Sequence, residues 1–251
     1  MNEILALATE IAKKTGELLL TRPTKFEINT KSSDIDIVTQ MDKAAEKLIV
    51  ESILAVRPDD GILGEEGANH QSKSGFTWVI DPIDGTVNYF YNLPGWSVSI
   101  AVIDKDGPLA GVVYSPGLDS LYTAYRGGGS FLNGERLKCN DPVALNRALI
   151  STGFHYESEI RKVEVAQFNK LISKIRDIRR NGSAAIDICH VAAGFVDGYF
   201  EMGLHPWDRD AAQLIATEAG AIVSVHGQLT IAAGAHLHGK LKEELSAFLN
   251  S

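Results

Sequence analysis

The sequence predicts an α+β protein, and three observations lead there. Helical periods of apolar residues fill positions 1–20 and 40–56, short β-rich runs broken by turn residues follow from Trp96, and strand and helix patterns alternate after about Leu145. No linker rich in Pro, Gly or Ser and no internal repeat interrupts the chain. Residues 1–251 are therefore expected to form one domain, with an α+β half at 1–145 and an α/β half at 146–251.

The elements follow in order. Ile4, Leu5, Ala8, Ile11, Ala12, Leu18 and Leu19 recur near helical spacing and predict a first helix, ended by Thr21-Arg22-Pro23. A second helix is predicted over 40–56 from Ala45, Leu48, Ile49, Ile53 and Val56, with a stop at Arg57-Pro58-Asp59-Asp60-Gly61. Asp42 falls in its first turn, where the helix dipole favours a carboxylate. The run 78–80 reads as a buried strand that stops at Asp81, because Pro82 has no N–H for the ladder. Strands are predicted at 97–103, 109–114, 121–125 and 131–132, with turns at Asp106-Gly107, Gly127-Gly128-Gly129 and Asn133-Gly134. The last is a hairpin signal. The glycine triplet carries neither a P-loop Lys-Ser/Thr nor GxGxxG spacing and reads as a hairpin end. Beyond it come a strand at 148–152, a helix at 159–174, a strand at 178–180, a helix from Ser183 and a strand at Tyr199-Phe200. A helix at 208–218, a strand at 221–225 and a helix at 240–249 finish the chain.

Net charge is −8, which argues against general attraction to nucleic acid or anionic membrane. No apolar run approaches the roughly 20 residues that span a bilayer. Cys139 and Cys189 make no disulfide framework, and the charged, amphipathic first helix is unlike a signal peptide, so a cytoplasmic location is expected.

Chemistry concentrates in Trp78-Val79-Ile80-Asp81-Pro82-Ile83-Asp84-Gly85-Thr86-Val87-Asn88-Tyr89. If the chain turns after Asp81, Asp81 and Asp84 can share one side with the Ile83 carbonyl, giving hard oxygen donors suited to Mg2+. Gly85 and Thr86 then open the next element, where free backbone N–H groups favour a phosphate oxygen and glycine permits close approach. Taken alone, the same residues could be an ordinary strand-to-helix turn, Asp42 a helix-start carboxylate and Asp208 an N-cap.

This stretch resembles the first signature of the inositol monophosphatase family, within the lithium-sensitive, magnesium-dependent phosphatases. Three further segments resemble that family in order and spacing: Asp36-Ile37-Val38-Thr39-Gln40-Met41-Asp42, Ile62-Leu63-Gly64-Glu65-Glu66-Gly67 and Glu201-Met202-Gly203-Leu204-His205-Pro206-Trp207-Asp208. The resemblance implies alternating α/β/α/β/α layers of the inositol monophosphatase and fructose-1,6-bisphosphatase type. It implies hydrolysis of inositol-1-phosphate by metal-activated water, with two or three Mg2+ ions bound by Glu65, Asp81, Asp84, Asp208 and the Ile83 carbonyl. Asp42 and Thr86 would activate the water, with Glu65 and Asp84 as catalytic metal ligands. Gly85, Thr86 and Asp208 would contact substrate, and Arg179-Arg180-Asn181-Gly182-Ser183-Ala184 would bring Gly182, Ser183 and Ala184 near its alcohol part. Glu201 would accept hydrogen bonds from inositol hydroxyls.

The resemblance further implies a homodimer acting on a small-molecule phosphate ester; an alternative reading is a relative with an added non-catalytic role binding the transcription machinery, as in some bacterial relatives. Fructose-1,6-bisphosphatase, 3′(2′),5′-bisphosphate nucleotidase and histidinol-phosphatase share the implied metal site. A bisphosphate would need a second basic pocket, and only Arg179-Arg180 stands out, in a strand that could bury it. The histidines lack metal-ligand spacing, and Cys189 reads as packing. Two departures from the family pattern are the charged pair Arg209-Asp210 after Asp208 and a short connection over 226–233.

Overall fold

A computed structural model describes residues 3–31 and 33–246. Helix α1 (Glu3–Leu20) turns Leu5, Ala8, Ile11, Ala12 and Leu19 inward, as its period requires. Helix α2 (Gln40–Val56) opens with a capping box: the Thr39 hydroxyl accepts the Met41 N–H at 3.1 Å, and the Asp42 carboxylate accepts the Thr39 N–H at 2.8 Å. Val56 is expected on the apolar face but is 64% exposed at the last residue of the helix. A small antiparallel ribbon of β1 (Ile28–Thr30) and β2 (Ile37–Thr39) precedes α2. It was not predicted, since β1 is exposed throughout and shows no apolar alternation.

The large sheet contains β3 (Gly61–Gly64), β4 (Asn69–His70), β5 (Thr77–Asp84), β6 (Ser97–Asp104), β7 (Gly107–Ser115), β8 (Ser120–Tyr125), β9 (Gly129–Leu132) and β10 (Glu135–Arg136). Their order is β10-β9-β8-β7-β6-β5-β3-β4. The predicted hairpin at Asn133-Gly134 is present, with both residues at positive φ. The expectation that the strand stops at Asp81 is corrected. Strand β5 continues through Pro82, which is absorbed by a register shift between Asp81, opposite Ser99, and Asp84, opposite Ser97. Helix α3 (Thr86–Phe90) follows at once.

The smaller sheet contains β11 (Leu149–Thr152), β12 (Asp177–Arg179), β13 (Gly198–Met202), β14 (Ile222–His226) and β15 (Leu229–Ala233), ordered β12-β11-β13-β15-β14. Its helices are α4 (Ser158–Leu171), α5 (Ala184–Ala192), α6 (Pro206–Glu218) and α7 (Ala235–Glu244). One strand and the starts of two helices differ most from expectation. Residues read as a connection form β15, antiparallel to both β13 and β14 and buried at every position, so its apolar run lacks the half-buried alternation that marks a strand. The final helix starts at Ala235, ahead of position 240, and ends at Glu244; positions 247–249 of the predicted helix lie outside the described residues. Helix α6 begins at Pro206, which suits a first helical position, and this places Asp208 inside the first turn.

The layers alternate α/β/α/β/α. Helices α1 and α2 cover one face of the large sheet, joining Ile11, Ile49 and Ile53 to Trp78, Ile80, Ile100 and Val112. The other face meets α5 and α6, where Val79, Ala101 and Val113 pack with Ala185, Ile188, Ala212 and Ile215 and with Tyr199 and Ala232 of the smaller sheet. Gly111 is needed in this layer, since a Cβ there would lie 2.6 Å from the Ala211 carbonyl oxygen. Helices α4 and α7 close the outer face, with Leu171, Leu237 and Leu241 against Ile150, Phe200 and Ile231.

If β15 is a central core strand, Ile231→Ala should lower unfolding free energy in urea by about 2–5 kcal/mol. Val225→Ala on β14, where the side chain is 42% exposed, should change it by no more than about 0.5 kcal/mol. Equal small effects would contradict the strand's placement.

Candidate active site

The C-terminal ends of β5, β11 and β13 and the first turns of α5 and α6 surround a cleft of about 620 Å3. Glu65, Asp81, Ile83, Asp84, Gly85, Thr86, Gly182, Ser183, Ala184, Glu201 and Asp208 all line it. Of the residues implied as catalytic, metal-binding or substrate-binding, Asp42 alone does not, and it lies fully buried behind Thr86.

The shifted end of β5 produces this convergence. Asp81 Oδ1 accepts the Ile83 N–H at 2.9 Å, bending the chain back on itself. Gly85 takes φ +89°, and a Cβ there would lie 3.0 Å from the Gly182 carbonyl oxygen and 3.1 Å from that of Gly95, so only glycine fits between these segments. Thr86 Oγ1 lies 3.1 Å from both Asp42 Oδ1 and the Ile83 carbonyl oxygen and can donate to one at a time. The other Asp42 oxygen accepts the Thr39 N–H and hydroxyl. Burial raises the Asp42 pKa against these stabilising hydrogen bonds from Thr39 and Thr86.

Asp84 joins the two sheets' layers. Its carboxylate accepts the Ser183 hydroxyl, the Ala185 N–H at 2.8 Å and the Ala184 N–H at 3.3 Å, all at the start of α5. Ser183 also caps that helix by accepting the Ile186 N–H at 3.2 Å. Burial pushes the Asp84 pKa to about 6 despite these donors. Asp208 sits at the third position of α6, not at the cap, and accepts the His205 N–H at 2.6 Å. Its neighbour Arg209 turns away to the Leu204 carbonyl and pairs with Asp210, so the unusual charged pair does not screen Asp208 directly.

Glu65 leaves β3 beside β5, with its N–H bonded to the Ile80 carbonyl at 3.2 Å. Its Oε1 pairs with Lys31 at 2.9 Å, while Oε2 is buried with no standing donor; the neighbouring Asp81 carboxyl hydrogen-bonds Glu65 only when it carries a proton. Asp81 is raised well above an ordinary carboxylate pKa by burial and then by the charges of Glu65, Asp84 and Asp208. Asp208 is raised by burial and by Glu65 and Asp84. Among the described residues, no group of three or more His, Cys, Asp or Glu side chains converges tightly enough to cage an ion. The donor chemistry nevertheless fits a hard divalent cation: the oxygens are all carboxylate or carbonyl, one buried oxygen is orphaned, and the acids repel one another.

The sequence reading missed several cleft residues. Lys31, in the turn after β1, holds Glu65 and Glu66 together; burial disfavours its charge, but those carboxylates raise its pKa. Asp187 is buried on α5 with its carboxylate accepting the Asn181 amide, and burial pushes its pKa to about 7. The strand reading left Arg180 open between burial and a second basic pocket. Arg179 pairs outward with Asp177, and Arg180 faces the cleft, where its charge reaches Asp187 and Glu201. The cue was the adjacent Arg pair, whose members point oppositely because they leave a strand end. Glu201 accepts the Tyr199 hydroxyl at 2.5 Å, and burial moves its pKa to about 8. Gly153 makes room for it, since a Cβ there would lie 2.1 Å from that carboxylate.

Five alternating layers with an acid-lined cleft at the strand ends define a phosphatase fold of the inositol monophosphatase and fructose-1,6-bisphosphatase type. The chain belongs to the inositol monophosphatase family, whose model matches residues 1–249. It is 42% identical over 228 residues to a protein of Pasteurella multocida described as Nus factor SuhB, covering 89% of this chain and 85% of that one. Among solved structures it resembles the extragenic suppressor protein SuhB of Bartonella henselae, with TM-score 0.91, 30% identity and coverage of 97% and 98% of the two chains. It also resembles the IMPase of Thermotoga maritima, with TM-score 0.90, 29% identity and 99% coverage of both. Membership makes the protein a phosphomonoesterase by class, with the divalent-metal dependence typical of that superfamily. Among the described residues, no helix is long and apolar enough to cross a membrane.

The raised carboxylates set a sign for the pH dependence of stability. A folded pKa of about 6 for Asp84, above its ordinary 3.8, gives stability that is fully present below 3.8 and lost as pH rises through 6. Metal-free protein should therefore lose Tm between about pH 4 and about pH 6 through Asp84, and on toward about pH 8 through Asp187 and Glu201, whose burial raises them to about 7 and about 8. The Tm gain on adding Mg2+ should be larger at the top of that range than at its foot. A gain that is equal at both, or larger at low pH, would contradict the charge cluster.

Proposed function

We propose that this protein hydrolyses inositol-1-phosphate to inositol and phosphate, with two or three Mg2+ ions per site. What carries the reading is the grouping of Glu65, Asp81, Asp84 and Asp208 beside the Thr86–Asp42 pair, with Glu201 on the same cleft. Glu65, Asp81, Asp84, Asp208 and the Ile83 carbonyl would hold the ions. Bound Mg2+ supplies Lewis-acid stabilisation of the phosphate charge and a more acidic water.

The remaining steps belong to the chain. Gly85 and Thr86 orient the phosphate through their backbone N–H groups. Thr86 passes its hydroxyl proton toward Asp42 and offers a lone pair to the attacking water, and the raised pKa of Asp42 suits it to accept that proton. Gly182, Ser183 and Ala184 border the alcohol part of the substrate, while Ser183 and Ala184 also fix Asp84. Glu201 reads polyol hydroxyls, and no covalent phosphoenzyme is involved.

Arg180 in the cleft favours a second reading, since it could meet a second anionic group and so suit a bisphosphate ester. The likeness to relatives described as Nus factors supports an added role with the transcription machinery, and the homodimer is carried over from the family resemblance.

Phosphate release from inositol-1-phosphate and from a small aryl phosphate tests the substrate reading. Glu201 is mainly protonated below its pKa of about 8, so Glu201→Gln should matter most above it. There the variant should lose roughly 1.5–3 kcal/mol in kcat/KM for the polyol ester and little for the aryl ester, with the contrast shrinking toward neutral pH. Equal losses on both esters, or a wild-type preference for a bisphosphate, would overturn it.

A further inference from the structure

Glu46 lies on α2 one turn after Asp42, so both carboxylates share a helix face. It is 7% exposed and does not line the cleft. Its Oε2 accepts the Glu66 N–H at 2.8 Å and its Oε1 accepts the Ala68 N–H at 2.9 Å. Those donors flank the turn that presents Glu65, which is closed by the Gly64 N–H to the Ala68 carbonyl at 2.7 Å. Gly64 leaves room for the carboxylate: a Cβ there would lie 2.2 Å from Glu46 Oε2.

We infer that Glu46 is a positioning residue for divalent-cation binding, clamping the backbone of the Glu65 turn so that Glu65 Oε2 stays aimed at the acid cluster. The inference rests on the reading of Glu65 as a metal ligand. A buried carboxylate spanning two backbone N–H groups resists displacement, because moving the turn would leave the Glu46 charge without its donors. Helix α2 thereby sets two parts of the site from one rigid face, Asp42 behind Thr86 and, through Glu46, the turn of Glu65.

The full-length protein, titrated calorimetrically with Mg2+ well below its Tm, provides the test. Glu46→Gln keeps the size but places an amide donor against one of the N–H groups, and should weaken Mg2+ binding roughly 10-fold or more. That variant also removes a charge, so Gly64→Ala serves as an independent second variant. It keeps Glu46 charged but drives its flexible end off the turn, and the same weakening is expected. Hydrogen exchange should show the Glu66 and Ala68 amides losing protection in both variants while core amides keep theirs. A Tm loss with unchanged Mg2+ affinity in both, or weakening in Glu46→Gln alone, would overturn the proposal. Wild type that binds no Mg2+ would overturn the ligand reading itself, and the proposal with it.

Discussion

Mutual repulsion among carboxylates held away from water is the constraint on which the structure turns. Asp81 feels Glu65, Asp84 and Asp208 at once, and burial leaves those charges little solvent screening. Such an arrangement is costly unless protons or cations relieve it, and hydrogen bonds relieve it only in part. Asp84 is held by three donors at the start of α5, Asp81 by the Ile83 N–H and Asp208 by the His205 N–H. The remaining oxygens face one cleft, and the orphaned Glu65 Oε2 is the clearest sign that the protein's own donors do not complete the set.

The layered fold exists around that crowding. Asp81 and Asp84 come from the large sheet, Asp208 from the first turn of α6, and Glu201 from the smaller sheet. Helices α5 and α6 lie between the sheets, and alanines on both let the layers approach closely. The Asp84 contact with Ser183, Ala184 and Ala185 ties the end of β5 to the start of α5, so packing in the middle layer sets the relative placement of acids far apart in sequence.

Much of this was legible in the sequence, and the failures have physical causes. Helix α2 was readable because its period and its stop at Arg57-Pro58 agree, and the Asp81-to-Thr86 turn because Pro, Gly and acid residues are crowded there. The sequence placed Asp42, Glu65 and Asp208 in matching motifs; the fold brings Glu65 and Asp208 to one cleft and sets Asp42 behind Thr86 at its wall. Strand β15 was hidden because a fully buried strand has no alternation, and β1 because an exposed one has none either. The continuation of β5 past Pro82 depends on a bulge that only the facing strand reveals. Lys31 was missed as a cleft residue because a single charge in a loop carries no periodic signal, and which of Arg179 and Arg180 faces the cleft is decided by tertiary neighbours. The protonation of Glu201 is likewise a property of its burial next to Tyr199, not of its place in a motif.

The central claim is that cation binding replaces protons on a repelling acid cluster. Calorimetric Mg2+ titration in buffers of different ionisation enthalpy measures that exchange directly. At about pH 6.5 each binding event should release protons to the buffer, and the release should fall away as pH rises and the acids ionise beforehand. Mg2+ binding with no proton release anywhere between about pH 5 and about pH 9 would mean that the acids are already ionised and well stabilised, and would contradict the account.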